Sequence, residues 1–390
     1  DWFMLNSAHK GYEYQDLLGA YFIAQYIASN KLDVEFLFDS KEVNGDKFDD
    51  FKIFDGEKIY YRQIKHSENH CLKQNDFLAS GYPNLHLKKL FDSWQKLPRD
   101  NAEFRLCLAW GHPEEGDKLH GVLKQLNSCH KVFPETTCYK IDCDCLWPQG
   151  TEIIDDWKKL KNDLKDVDRG EFKSFLDSLI IEVNYPKRAK LESLFSKLVQ
   201  DIGVGTYPND HIQVEAVCDK IQLLAQKLRA DASKNHASAL KIAEDCRIIL
   251  NCGGIDETFP IDKDLFIDVS DRLQTIIDAL KQNNRVIATA APGAGKSWLI
   301  SSLEKELKAH DVQIIKHFCF VDVRDSLFKD RIKTDSLYGS LKSQILESFR
   351  DLKQGKMYAA DAEEVVSLLN QNPIYDTYHC RWSRPCQKSL

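Results

Sequence analysis

The run Phe48-Asp49-Asp50-Phe51-Lys52-Ile53-Phe54-Asp55-Gly56-Glu57-Lys58-Ile59-Tyr60-Tyr61-Arg62-Gln63-Ile64-Lys65-His66 reads as two strands, Phe48 to Phe54 and Lys58 to His66, joined by a tight turn. Asp-Gly is a favoured pair where a hairpin needs positive φ, so Asp55-Gly56 marks the reversal. Successive side chains of a strand point to opposite faces, which puts Gln63 and Lys65 on one face and Asp49-Asp50 on the neighbouring strand. Working outward, Val34 to Phe38 is a third short strand. Before it, Tyr14, Leu18, Phe22 and Tyr26 recur every four positions with Leu17 and Tyr21 beside them, which predicts an amphipathic helix from Gly11 to Ile27. A helix followed by such a meander opens an α/β domain.

Further along, Phe104 to Trp110 reads as a buried strand, and Phe172 to Leu179 and Lys190 to Gly203 as helices; no chemistry is legible there. Between Ile212 and Ala232 the set Val217, Ile221, Leu224 and Leu228 has helical spacing, and the polar stretch Asp231 to His236 marks a boundary. The expected organisation is a first domain over 1–205, a helical linker over 206–254 and a second domain over 255–390.

In that second domain a helix (Val269 to Lys281), a strand (Arg285 to Thr289), a helix (Ser297 to His310), a strand (Val312 to Val321) and a helix (Thr334 to Phe349) follow one another, the opening of a parallel α/β domain. Between its first strand and second helix lies Ala290-Ala291-Pro292-Gly293-Ala294-Gly295-Lys296-Ser297, the P-loop pattern G-x-x-x-x-G-K-S/T with Ala290 in place of the first glycine. Gly293, Ala294 and Gly295 let backbone N–H groups curl around a β-phosphate. Lys296 reaches β- and γ-oxygens, and the Ser297 hydroxyl is placed to ligate Mg²⁺. The helix that follows aims its positive N-terminus at the same anion. ATP is the expected ligand.

Composition narrows the classes. The chain has 390 residues, 43% hydrophobic and 29% charged, which suits two or three folded domains and excludes disorder. It shows neither a run of roughly twenty apolar residues nor the layout of a signal peptide, so no membrane partner and a cytoplasmic location are expected. The twelve cysteines are too sparse for a disulfide scaffold, and reduced thiols are the expectation. A net charge of -7 argues against a simple nucleic-acid coat, while leaving room for local contact with DNA. Cys138, Cys143 and Cys145 with His130 lack the spacing of a zinc site, and His66 and His70 read as caps of a strand end.

An acid on one strand facing a Gln-x-Lys pair on the next resembles the PD-(D/E)XK, or restriction-endonuclease-like, nucleases. It resembles in particular the Mrr-like branch, whose preceding helix carries a G-x-x-[FY]-[EQ] element, here Gly11-Tyr12-Glu13-Tyr14-Gln15. The resemblance implies an α/β/α fold and a metal-dependent DNA endonuclease using Mg²⁺ or Mn²⁺. In that reading Asp50 is the metal ligand, Gln63 helps to hold the metal, Lys65 orients the attacking water and steadies the transition state, and Gln15 supports the site from the helix. Glu35 is an extra carboxylate. Gln63 stands where the commonest pattern has Glu, which removes a negative charge and should weaken metal affinity. The plain alternative is that Asp49, Asp50 and Lys65 are solvated strand-face charges.

A nuclease-like domain followed by a P-loop domain resembles the antiviral STAND ATPases of bacteria, in which an effector nuclease precedes a nucleotide switch and a C-terminal sensor. That resemblance implies double-stranded DNA as substrate, self-association through effector and NTPase domains, and a phage protein as trigger in a full-length form. No acid-terminated Walker B strand follows Asn370. Permissible codons for Thr377 to Cys386, read one base later, give Leu-Ile-Ile-Val-Asp-Gly-Leu-Asp-His, so a frameshift near Thr377 is expected to have cut the domain short. The rival reading is a nucleotide-binding regulatory or scaffold protein with a catalytically degenerate nuclease fold. A P-loop kinase or transporter ATPase with an unrelated front domain is a third.

Overall fold

The computed structural model describes residues 2–39, 41, 44–56, 58–78, 85–230, 236–259, 269–283, 286–291, 293–309, 312–321, 324–349 and 351–371. The chain forms two compact units, one of residues 1–199 with 213–248, the other of 200–212 with 249–390. The fold class is α/β, and no helix among the described residues is long and apolar enough to cross a membrane.

In the first unit a helix α1 (Trp2–Ala28) leads into β1 (Glu35–Phe38), β2 (Phe51–Asp55) and β3 (Lys58–Cys71). Then come β4 (Ala102–Gly111), β5 (Leu123–Gln125), β6 (Thr137–Ile141), β7 (Leu179–Val183) and β8 (His236–Ser238). They form one mixed sheet in the order β5-β6-β7-β4-β3-β2-β1-β8. At its centre β3, β4 and β7 run parallel, and every other pair is antiparallel. The expected turn is where the sequence puts it, with Gly56 at φ 65° just after β2. β3 is longer than expected and runs through His66 and His70, which therefore lie within the strand rather than capping it.

Period-two alternation sorts the residues of the sheet into two apolar layers. Phe51 and Ile53 of β2 face α1, where the Phe51 ring stacks on Phe22 at 5.6 Å and on Phe36 at 5.9 Å. Tyr61, Phe104, Leu106 and Leu108 face the other way, into a core shared with the helices Leu87–Lys96 and Arg169–Ser178. Gly19 lets α1 lie close to the sheet: a Cβ there would come within 2.6 Å of the Phe38 ring.

Residues 213–248 belong to the first unit instead of forming a spacer. The helix Val214–Ala230 buries Val217, Ile221 and Ala225. Its Arg229 grips Asp16 of α1 through two bonds of 2.9 Å, and the guanidinium lies 4.8 Å from the Tyr12 ring. β8 then pairs with β1, Leu37 opposite His236, and covers that edge of the sheet.

The second unit differs from expectation. Its described residues contain no strand, although Arg285 to Thr289 and Val312 to Val321 are read as strands; Arg285 itself lies outside the described residues. Around Lys316, backbone groups bond to side chains where a strand would bond to a neighbour. Lys316 N–H donates to Gln344 Oε1 at 3.0 Å, Gln344 Nε2 donates back to Lys316 O at 2.7 Å, and Phe318 N–H donates to Glu257 Oε2 at 2.8 Å. The helices Ser270–Gln282 and Lys296–Ala309 bury no residue, and Ile287 is 89% exposed. Thr377 to Cys386, on which the frameshift expectation rests, lie outside the described residues.

Candidate functional site

β3 continues past the point where β2 stops pairing with it, the last matched residues being Phe51 and Arg62. Beyond that point the backbone of Ile64 needs other partners, and side chains supply them. The Asp50 carboxylate, one residue before β2 rather than within it, accepts the Ile64 N–H at 2.7 Å. Gln15 Nε2 donates from α1 to Ile64 O at 3.4 Å. Extending the β2–β3 register by one step sets Asp50 opposite Gln63, and Gln63 Nε2 donates to the same Asp50 oxygen at 2.6 Å. Lys65, next on that face of β3, brings its Nζ to 4.0 Å from it. Asp50, Gln63, Lys65 and Gln15, taken from three separate places in the sequence, are thus gathered around one residue.

The cluster is largely shielded from water. Burial raises the Asp50 carboxyl from its ordinary 3.8 to about 6, opposed by Lys65 and by the Ile64 N–H, while the carboxylates of Asp49 and Asp39 push it up further. Burial, then Asp46, likewise raises Asp49, whose outward oxygen lies 3.9 Å from Lys41. Glu35 does not join them: it pairs with Phe54, at the end of β2 remote from Asp50. Asp39 is there instead, its N–H donating to Asp50 O at 3.3 Å, because the antiparallel register returns the end of β1 to the start of β2. Reading that register forward from Phe38 opposite Phe51 would have found it.

Two oxygens of this cluster accept no hydrogen bond from the described residues. Gln63 Oε1 is buried with no partner, and among the described residues no hydrogen bond falls on Asp50 Oδ1. No group of three or more His, Cys, Asp or Glu among the described residues could hold a metal ion. Zinc, which takes three or four protein ligands, does not fit this donor set. A hard cation such as Mg²⁺, which takes one or two carboxylates and keeps waters or substrate phosphates, does fit.

The P-loop is the second candidate. Gly293 and Gly295 take φ 78° and 83° with open space around them, so conformation, not room, calls for glycine. Ala290 is not among the residues with a left-handed backbone, so conformation does not call for glycine at this position. Lys296 and Ser297 stand in the first turn of the helix Lys296–Ala309, and Lys296 Nζ folds back onto Ala290 O at 2.7 Å and Ala291 O at 3.0 Å. Ala291, Gly293, Ala294 and Lys296 are exposed; Pro292 lies outside the described residues.

Cys138, Cys143 and Cys145 are free thiols, the first two buried, and the His130 carbonyl accepts from Arg105 at 2.9 Å. His66 stacks on Tyr14 at 4.4 Å, while His70 contacts both Asp76 oxygens at 2.9 and 3.0 Å. Sequence reasoning also missed Glu257, a buried carboxylate in the second unit that receives His317 Nδ1, the Phe318 N–H, Arg331 and Ser340 Oγ. No model of a known protein family matches the chain, and no curated protein matches it.

Proposed function

We propose that the first unit is a metal-dependent DNA endonuclease and that the P-loop of the second binds ATP, the two serving antiphage defence in the manner of a STAND ATPase with a PD-(D/E)XK effector. The observation that carries the nuclease reading is the convergence of Asp50, Gln63, Lys65 and Gln15 around Ile64, with Gln63 Oε1 buried and unpartnered. Mg²⁺ or Mn²⁺ held by Asp50 and Gln63 would polarise the scissile phosphate of double-stranded DNA and acidify a water. Lys65 orients that water and stabilises the charge that develops on the phosphate. Gln15 fixes the backbone from which both Gln63 and Lys65 project. Nucleotide-driven self-association would bring effector units together, with a phage protein as the trigger in forms that carry a sensor. An acidic chain can do this, because the contact with DNA needs only a local site.

A second reading rests on a different observation. Gln63 already caps the Asp50 carboxylate, and no three-ligand metal group stands among the described residues. This favours a catalytically degenerate fold used for nucleotide-dependent assembly.

Incubating the protein with linear and supercoiled DNA and either metal, beside Lys65→Ala, separates the two. Metal-dependent cleavage lost in the variant supports the nuclease. Cleavage that survives the substitution removes Lys65 from the site, and absence of cleavage after enforced dimerisation favours the scaffold.

A further inference from the structure

The face of β3 opposite Gln63 and Lys65 borders a cavity of about 380 Å³ between α1 and the sheet, entirely within the first unit. Its charged lining is mostly cationic: Lys31, Lys58, Arg62 and Arg105 against the single carboxylate Glu103. Arg62 and Arg105 are side by side in the parallel register of β3 and β4, and both are at least nine-tenths buried. Like charges brought that close in a low dielectric require compensation. Glu103 provides part of it, at 2.8 Å from Arg62, 3.0 Å from Arg105 and 3.8 Å from Lys58. Those cations hold its carboxyl below the usual range although burial alone would raise it.

The compensation is incomplete. Behind the wall, Glu182 takes Arg105 at 2.6 Å and Asp55 takes Lys31 at 2.5 Å, which still leaves four cations against three carboxylates. The Nε–H groups of Arg62 and Arg105 are both buried without an acceptor. A buried donor left without an acceptor is costly, so these groups favour an anion that brings acceptor oxygens. Tyr26 and Tyr60 supply aromatic walls; Lys58 and Arg62 lie 4.7 and 5.1 Å from the Tyr60 ring. The volume is at the small end of ligand sites, roughly 300–1,000 Å³, and suits one nucleotide-sized molecule rather than a length of DNA.

We propose that this cavity binds a small phosphate monoester bearing a flat ring, of nucleoside monophosphate size, with its phosphate on Arg62, Arg105 and Lys58 and its ring against Tyr26 and Tyr60. A phosphate group brings three acceptor oxygens to the two unmet Nε–H groups and to Lys58, where a carboxylate brings two. The site is independent of the Asp50 cluster and of the P-loop.

Isothermal titration of the full chain with AMP, ribose 5-phosphate and orthophosphate tests it. AMP is expected to bind at least about tenfold more tightly than orthophosphate. Lys58→Ala, at an exposed rim position, should weaken all three ligands by about tenfold, and Tyr60→Leu should remove the advantage of AMP alone. Because Lys58 is about half exposed, the first substitution leaves the fold intact. No AMP binding at about 1 mM overturns the proposal, as do equal affinities for AMP and orthophosphate. AMP binding that neither substitution changes places the ligand elsewhere and also overturns it.

Discussion

The Asp50 cluster and the P-loop invert one another. The P-loop pattern is spelled out by eight consecutive residues, yet Ala290, Ala291, Gly293, Ala294 and Lys296 are exposed, the described residues just before it form no strand, and the helix after it contains no buried residue. The Asp50 cluster is thinly spelled across Gln15 to Lys65, yet a helix, a hairpin and a strand register bring its members within hydrogen-bonding or ion-pair distance of one another or of Ile64. A contiguous motif states what one stretch of backbone can do. A dispersed one states what a fold has to assemble, and the packing that assembles it is the better guide to how firmly it is held.

The largest expected effect lies in the cluster. Lys65→Ala should lower metal-dependent DNA cleavage by about 10²–10³-fold without altering ATP affinity, measured by gel assay and nucleotide titration. An unchanged cleavage rate would break the comparison by leaving the dispersed motif without chemistry. For the contiguous motif, Lys296→Ala should weaken ATP binding by about tenfold or more, since the residue is charged and its partners are exposed loop carbonyls. Retained affinity would show that the loop does not hold the phosphates.

Stability gives the next contrast. A carboxyl raised from 3.8 to about 6 by burial keeps its proton in the folded chain while the unfolded chain ionises. Stability at this residue is therefore lost as pH rises from about 4 to 6 and stays lower above, by about 3 kcal/mol. Asp50→Asn, which can still accept from Ile64 and Gln63, should be more stable than the parent at pH 7 by up to that amount and equal to it near pH 4. Denaturant melts across this range would show it, and a pH-independent difference would contradict the assignment of burial as the cause. The smallest effect is that of Gln15→Leu. Loss of one 3.4 Å bond to Ile64 O should cost about 1 kcal/mol of stability and lower cleavage only a few-fold.

Much of the first unit was legible because its signals are local. The four-residue recurrence from Tyr14 to Tyr26, the Asp55-Gly56 turn and the apolar run Phe104–Trp110 all mark elements that the chain forms. β7 was obscured because Leu179 follows the helix Arg169–Ser178 with no intervening turn residue. β8, His-Ala-Ser, has no strand character of its own, and its pairing is supplied by β1. Asp39 and the adjacent Arg62 and Arg105 depend on register between strands, which no single segment encodes. In the second unit, apolar alternation around Lys316 reads as a strand, but whether a neighbour or Gln344 satisfies the backbone is decided by residues far along the chain.

The pairing of β8 with β1 bears on how the first unit can be cut from the chain. A fragment ending at 205 would bare the β1 edge, a template for pairing with another copy, and would remove the Arg229 clasp on Asp16. A fragment ending at 248 keeps both. Such a fragment should remain monodisperse where the shorter one aggregates, and the boundary that matters for handling this unit alone lies more than an entire helix beyond residue 205, where the sequence alone puts it.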